Sequence, residues 1–331
     1  MAPEMTPTLA PCDRVRISVL DENYIDMLAT DTPSIRRMGM SRHFDPKAGT
    51  PLAENGISLL IEVELNGQIS RILLDAGLTA RVVMHNANLL GIDMKSVDHV
   101  MLSHGHPDHF GGIEGVLREI GHPVPLVIHP DAFDPRYINH PSGQVMRYIN
   151  LGLTKSAMEE AGARLVLNRS PLIIAPGVMV SGEIPRVVDF ERDKPGGRIV
   201  VRDGQVVTDP IGDYQALIIN LRGHGLIVLD MCGHAGVVNS VLHAQNITGV
   251  DQVHALIGGF HLGHVGVARE TIDLTVERLG QLGVRNIAPM HCSGIRAQMA
   301  VATQLPDAFM HLSVGSVVDY ASSVPSLAGN A

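Results

Sequence analysis

Six consecutive residues constrain the fold more than any other part of the chain: His104-Gly105-His106-Pro107-Asp108-His109. Four of them carry metal-ligand side chains. No regular element can aim all four at one point, because helical faces repeat every ~3.6 residues and strand faces alternate. A loop is required. The apolar run Val97 to Leu102 leads into it, and Ile113, Val116, Leu117 and Ile120 follow at helical spacing up to Gly121. The cluster therefore belongs at a strand-to-helix junction. Imidazole and carboxylate suit zinc, or iron or manganese where more carboxylate or water joins them. If His104 and His106 serve one ion, Asp108 and His109 reach a second about 3.5–4 Å away, the spacing at which two metals clamp one oxygen. Four donors cannot complete two coordination spheres, so further ligands must come from elsewhere in the chain.

Three more apolar runs end in histidine. Leu226-Ile227-Val228-Leu229 leads to Cys232 and His234, Ala255-Leu256-Ile257 to His261, and Asn286 to Met290 to His291, with small residues beside each. Upstream, two strand patterns, Ser58 to Val63 and Ser70 to Leu74, flank the hairpin dipeptide Asn66-Gly67. A helix follows, with Thr79 able to cap it and Gly91 able to end it. Another is expected from about Arg269 to Leu282. The stretch 121–213 is rich in Pro and Gly between short apolar runs and reads in part as an insertion or lid, with Lys194-Pro195-Gly196-Gly197 as an exposed tip. A Ser-, Ala- and Gly-rich tail, 321–331, is expected to fray.

Composition removes several function classes. The formal charge is −9 and no basic run occurs, which argues against nucleic acid as a partner. Apolar runs stop short of the ~20 residues of a membrane span. Met1 to Leu20 holds three prolines and no continuous apolar core, so it does not read as a secretory signal. Cys12, Cys232 and Cys292 are odd in number and far apart, as in a reducing compartment. The expectation is a cytoplasmic enzyme acting on a small molecule, with a homodimer as the commonest assembly.

The motif His104-x-His106-x-Asp108-His109 resembles the signature of the metallo-β-lactamase superfamily. Leu74-Asp75-Ala76-Gly77 is similar to the strand-end aspartate that supports its metal loop, Gly233-His234 to its middle histidine and Pro289-Met290-His291 to its last. Glu54 to Ile61, Cys232-Gly233-His234-Ala235-Gly236, Gly258-Gly259-Phe260-His261-Leu262 and His291-Cys292-Ser293-Gly294 are similar to a narrower branch, that of 7,8-dihydropterin-6-methyl-4-(β-D-ribofuranosyl)-aminobenzene-5′-phosphate synthase-like proteins. The resemblance implies an α/β, four-layer αβ/βα sandwich over residues 15–320, with 121–213 inserted in it. It also implies two divalent metal ions, zinc foremost, held by His104, His106, Asp108, His109, His234 and His291. Asp75 and Cys232 would stand behind these ligands. One departure is visible: the superfamily's usual bridging aspartate has no clean counterpart.

The expected chemistry is hydrolysis of an ester, lactone or phosphoester by a metal-bound hydroxide, with Asp108 as ligand and orienting group and His261 binding metal or contacting substrate. Group transfer displacing diphosphate, and iron-dependent redox chemistry, are the alternatives. His129, His264, Asn23 and Tyr24 are further candidates for the cleft, and Arg186 and Arg198 for an anionic group of the substrate.

Overall fold

In the computed structural model the described residues are 8–39, 49–139, 145–147, 150–192, 198–202 and 204–322. The turn expected at Lys194-Pro195-Gly196-Gly197 lies outside them.

The first part of the chain runs β1 (Arg14–Asp21), β2 (Ile35–Arg36), β3 (Ser58–Leu65), β4 (Gln68–Leu74), α1 (Ala80–Leu89), β5 (His99–Met101), α2 (Pro107–Phe110), α3 (Ile113–Ile120) and β6 (Val124–Ile128). The middle contains β7 (Arg136–Asn139), β8 (Val145–Arg147), α4 (Lys155–Glu160), β9 (Ala163–Leu167), β10 (Leu172–Ala175), β11 (Val178–Val180), β12 (Arg198–Arg202) and β13 (Gln205–Thr208). The last part is β14 (Leu217–Leu221), β15 (Gly225–Asp230), α5 (Val237–Thr248), β16 (Val253–Gly259), α6 (Arg269–Gln281), β17 (Asn286–Met290), α7 (Gly294–Gln304) and β18 (Val317–Ala321).

Two large sheets form, ordered β2-β18-β1-β3-β4-β5-β6-β9 and β10-β11-β14-β15-β16-β17. They pack face to face because their strands bury both faces, as near-continuous apolar runs must. Ile17, Leu59, Ile61, Ile72 and Leu74 of the first sheet meet Leu217, Ile227, Leu229 and Ile257 of the second. The alternate residues face outward. Leu60, Leu73 and Val100 receive Val83 of α1 and Val116 and Leu117 of α3. Val228 and Leu256 receive Val241 of α5, Ile272 and Val276 of α6, and Val301 of α7. The result is the four-layer αβ/βα sandwich, each fully buried Leu, Ile or Val contributing roughly 1.5–3 kcal/mol.

Local signals act as their chemistry requires. Asn66 and Gly67 take φ of 53° and 78°, the left-handed pair of a tight hairpin turn, and join β3 to β4. Thr79 precedes α1 without a side-chain cap bond. Instead Glu54 accepts hydrogen bonds from Thr79 N (2.5 Å) and Oγ1 (2.9 Å). Within 121–213, β6 and β9 extend the eight-stranded sheet and β10 and β11 the six-stranded one, while β7, β8, β12 and β13 form a separate four-stranded sheet. Of the tail expected from 321, Ala321 still pairs with Arg14 because it closes the ladder of β18 on β1, and 323–331 lie outside the described residues. No helix among the described residues is long and apolar enough to cross a membrane.

Each sheet has its parallel strands on one side: β4-β5-β6-β9 in one and β15-β16-β17 in the other. Their carboxyl ends deliver Asp75, His104, Cys232, His261 and His291 into the loops that follow, the usual place for a ligand site in α/β sheets.

Candidate metal centre

The loop after β5 turns into α2, a single turn started by Pro107, whose fixed φ suits a first helical position. His109 N and Phe110 N both donate to His106 O, at 3.0 and 3.1 Å, so Asp108 and His109 are presented from a hydrogen-bonded turn. Gly105 N donates to Asp213 Oδ2 at 2.8 Å. Arg136, fully buried, holds that same carboxylate through Nη1 (2.8 Å) and Nη2 (2.5 Å) and reaches Asp209 through Nε at 2.9 Å.

Two sets of donors result. In the first, His234 Nε2 stands 3.1 Å from His104 Nε2 and 3.2 Å from His106 Nδ1. In the second, Asp108 Oδ2 stands 3.1 Å from His291 Nε2 and 3.9 Å from His109 Nε2. The rings of His104 and His109 are 4.2 Å apart, so the sets are neighbours.

In three of the rings the other nitrogen is tied to the protein. His109 Nδ1 donates to Asp75 Oδ2 at 2.6 Å. Asp75 also accepts from Ser103 N and Ser103 Oγ, both at 2.7 Å, which leaves the hydroxyl oxygen to accept from His104 Nδ1 at 2.9 Å. His291 Nδ1 donates to Asn23 Oδ1 at 3.1 Å, and its backbone N donates to both oxygens of Glu22 at 3.0 Å. Protons so placed on Nδ1 leave lone pairs on the Nε2 atoms that face inward. His109 Nε2 is buried with no hydrogen-bond partner among the described residues. Ring nitrogens facing one another at about 3 Å, beside rings of His104, His109 and His291 oriented from behind, fit a cation between them.

Electrostatics agree with neutral imidazoles at His104, His106, His234 and His291, whereas at His109 burial is outweighed by Asp108 and Asp75, which raise it above the ordinary histidine range. Burial, then the neighbouring His109 and His106, holds His104 well below the ordinary histidine range. Burial pushes His106 down to about 3 and His261 down to about 2. His291 is also lowered, mainly by burial. Burial would raise the Asp108 carboxyl, but His109 and the hydrogen bond from His291 outweigh it and hold it below its usual range.

The remaining sequence candidates fall in different places. Asp75 contacts the loop through Ser103 and His109. Cys232, expected behind the ligands, stands between the two sets. Its Sγ lies within 4.8 Å of the His104 and His234 donor atoms and equally of those of His109 and His291. The reason is the turn after β15: Tyr214 Oη accepts from Cys232 N and Gly233 N at 3.1 Å, and Asp230 Oδ1 accepts from Gly233 N at 2.7 Å and from the Tyr214 hydroxyl. His261 joins neither set. Its ring packs between those of His234 (4.2 Å) and His264 (4.1 Å) at a φ of 54°, a strained setting for a histidine. With Asn23, Tyr24, Asn55, Arg198 and His264 it lines a cleft of about 400 Å³ over the donors. His129 serves packing instead, accepting from Asp131 N at 3.1 Å and facing Glu183 at 3.1 Å. Arg186 donates to the carbonyls of His234 (3.0 Å) and Pro210 (2.5 Å).

Residues unforeseen in the sequence are Glu22, Arg136, Asp209, Asp213 and Tyr214. All of them act on the site through backbone or carboxylate contacts rather than as ligands, and no local motif marks them.

Comparison with known proteins agrees with this geometry. The family model described as the metallo-beta-lactamase superfamily matches residues 58–230. The 7,8-dihydropterin-6-methyl-4-(β-D-ribofuranosyl)-aminobenzene-5′-phosphate synthase of Methanocaldococcus jannaschii is 35% identical over 270 residues, 81% of this chain and 90% of the relative. Among solved structures, Tm1679, described as a metal-dependent hydrolase of the β-lactamase superfamily, shares the fold at a TM-score of 0.69 and 22% identity, over 93% of this chain and 100% of that one. The metallo-β-lactamase fold protein YhfI from Bacillus subtilis follows at 0.52 and 14% identity, with 93% and 100% covered. The chain is an enzyme and belongs to the metallo-β-lactamase superfamily, in the branch that holds the Methanocaldococcus synthase.

Proposed function

We propose that this enzyme binds two divalent cations, zinc foremost, and hydrolyses a small-molecule ester, lactone or phosphoester. One observation carries the reading: two adjacent sets of three inward donors, His104/His106/His234 and Asp108/His109/His291, of which His106, Asp108 and His291 line one cleft. Bound there, two cations supply water ionised near neutral pH and Lewis-acid stabilisation of the developing oxyanion.

The chain's own residues do the rest. Asp108, with its side chain 26% exposed, is a ligand that also accepts a hydrogen bond from the attacking water and so orients it. Asp75, Ser103 and Asn23 keep the ring protons on the outer nitrogens, so the site loses no time or energy to tautomer exchange. Asn23, Tyr24, His264 and Arg198 offer polar contacts at the cleft wall for a substrate whose reacting bond lies over the donors.

A second reading is favoured by the 35% identity to a synthase. In it the cations that these donors would hold bind a diphosphate leaving group while an organic nucleophile attacks.

Elemental analysis of wild type beside His106→Ala, followed by assays on esters, lactones and phosphodiesters, tests both readings. About two metal equivalents and hydrolysis, both largely lost in the variant, support the first. Diphosphate release only when an organic nucleophile is supplied moves the second ahead. Two iron equivalents with oxygen uptake would replace both by redox chemistry, and no metal after reconstitution would sink all three.

A further inference from the structure

We infer that Cys232 is a thiolate ligand shared by the two cation pockets, in the bridging place that the superfamily resemblance gives to an aspartate. The inference rests on the two-cation reading above.

Position is the first argument. Cys232 belongs to both donor groups at once: with His104 and His234 on one side, with His109 and His291 on the other, all donor atoms in each group within 4.8 Å. The second is charge. The six donors proposed above comprise five neutral imidazoles and one carboxylate, against the four positive charges of two divalent cations, and a second anionic donor between them relieves that excess. Neither Asp75 nor Asp230 belongs to these donor groups. Asp75 faces Ser103 and His109 from behind, and Asp230 Oδ1 is held by Gly233 N and the Tyr214 hydroxyl.

The backbone fixes the thiol's direction. Gly233 has φ +63°, and a Cβ there would lie 2.9 Å from Gly259 O, so the turn that carries Cys232 is packed directly on the end of β16. Cys232 itself is only 3% exposed. Cys292 is the competing thiol, its Sγ 3.3 Å from that of Cys232. It is tied to the backbone, donating to Cys232 O and accepting from His261 N, each at 3.3 Å, and the donor group it joins, with His261, also contains Cys232, whereas the two groups with His104/His234 and His109/His291 contain Cys232 and not Cys292.

Cobalt(II) loading of the full chain tests the assignment, because a thiolate ligand produces a sulfur-to-cobalt charge-transfer band in the near ultraviolet whatever the enzyme's activity. The chain has three cysteines, so a Cys12→Ala/Cys292→Ser variant leaves Cys232 as the sole thiol. We expect the band in wild type and in that variant, and its loss in Cys232→Ser with cobalt affinity about tenfold or more weaker. A band that disappears from Cys12→Ala/Cys292→Ser, or cobalt bound to wild type without any band, overturns thiolate ligation by Cys232. Wild type that binds no cobalt overturns the two-cation reading and this inference with it. Should Cys232→Ser fail to fold, the two remaining proteins still decide the matter.

Discussion

His109 Nδ1 and Asp75 Oδ2 stand 2.6 Å apart, and both side chains are fully buried. Asp75 is also the acceptor for Ser103 N and Oγ, so one carboxylate orients His109 directly and His104 through a hydroxyl. Removing the charge while keeping the shape should loosen both rings. Asp75→Asn is expected to fold, by circular dichroism, and to bind zinc about 10- to 100-fold more weakly in a chelator competition. Unchanged affinity would show that the rings are held by packing alone.

Arg136 ties the four-stranded sheet to the metal loop, since it begins β7 and grips the carboxylate that receives Gly105 N. Burial alone would raise Asp213, but the guanidinium outweighs it and holds the carboxyl below its usual range. Arg136→Met leaves Asp209 and Asp213 buried without their cation and should cost about 3–5 kcal/mol in denaturant unfolding. Arg136→Lys keeps the charge but not the planar fork, and should lose part of that stability. Equal stability of the methionine variant and wild type would remove Arg136 from the support of the site.

Where sequence signals are local, the fold was legible. Asn66-Gly67 announced its hairpin, and the helix expected from Arg269 to Leu282 spans Arg269–Gln281. The candidate donors were legible for the same reason, since His104 to His109 are neighbours in sequence and His234 and His291 follow apolar runs. What supports them was not. Gly105 and Asp213 are 108 residues apart, Arg136 and Asp213 77, Glu22 and His291 269, and nothing local distinguishes these carboxylates from surface ones. Within 121–213 the prolines and glycines obscured β6 and β9, whose short runs have both faces partly covered and so lack a clear period. Cys232 was read as standing behind the ligands, and its place among the donors depends on Tyr214 and on contact between the turn and β16, neither of which is local in sequence.

Gly112 shows how closely the metal loop lies on its neighbours. A Cβ there would stand 2.3 Å from Ala76 O and 2.7 Å from Ala80 N, both backbone atoms that cannot rotate aside. Gly112→Ala should therefore cost about 1–3 kcal/mol or more of stability and weaken metal binding as the loop shifts from Asp75. Stability matching wild type, by thermal unfolding, would mean that the contact relaxes freely.

Asp21 gives the chain a pH dependence of opposite sign to that of an ion-paired carboxylate. It is fully buried, neither carboxyl oxygen has a partner of good hydrogen-bond geometry among the described residues, and burial, reinforced by Glu54 and Glu22 and only partly offset by the backbone of Glu22 and Leu78, raises its pKa to about 8. The folded protein thus keeps the proton that the unfolded chain releases near pH 4. Between those values the unfolded state binds fewer protons, so stability falls as pH rises, by at most about 1.4 kcal/mol per unit, and levels off above the folded pKa. Asp21→Asn cannot ionise and should escape this loss. Denaturant unfolding of both proteins at pH 5, 6, 7 and 8 isolates the effect, because titrations common to both cancel in the difference. The variant should gain on wild type by a few kcal/mol across that range, and a difference independent of pH would show that Asp21 is ionised throughout.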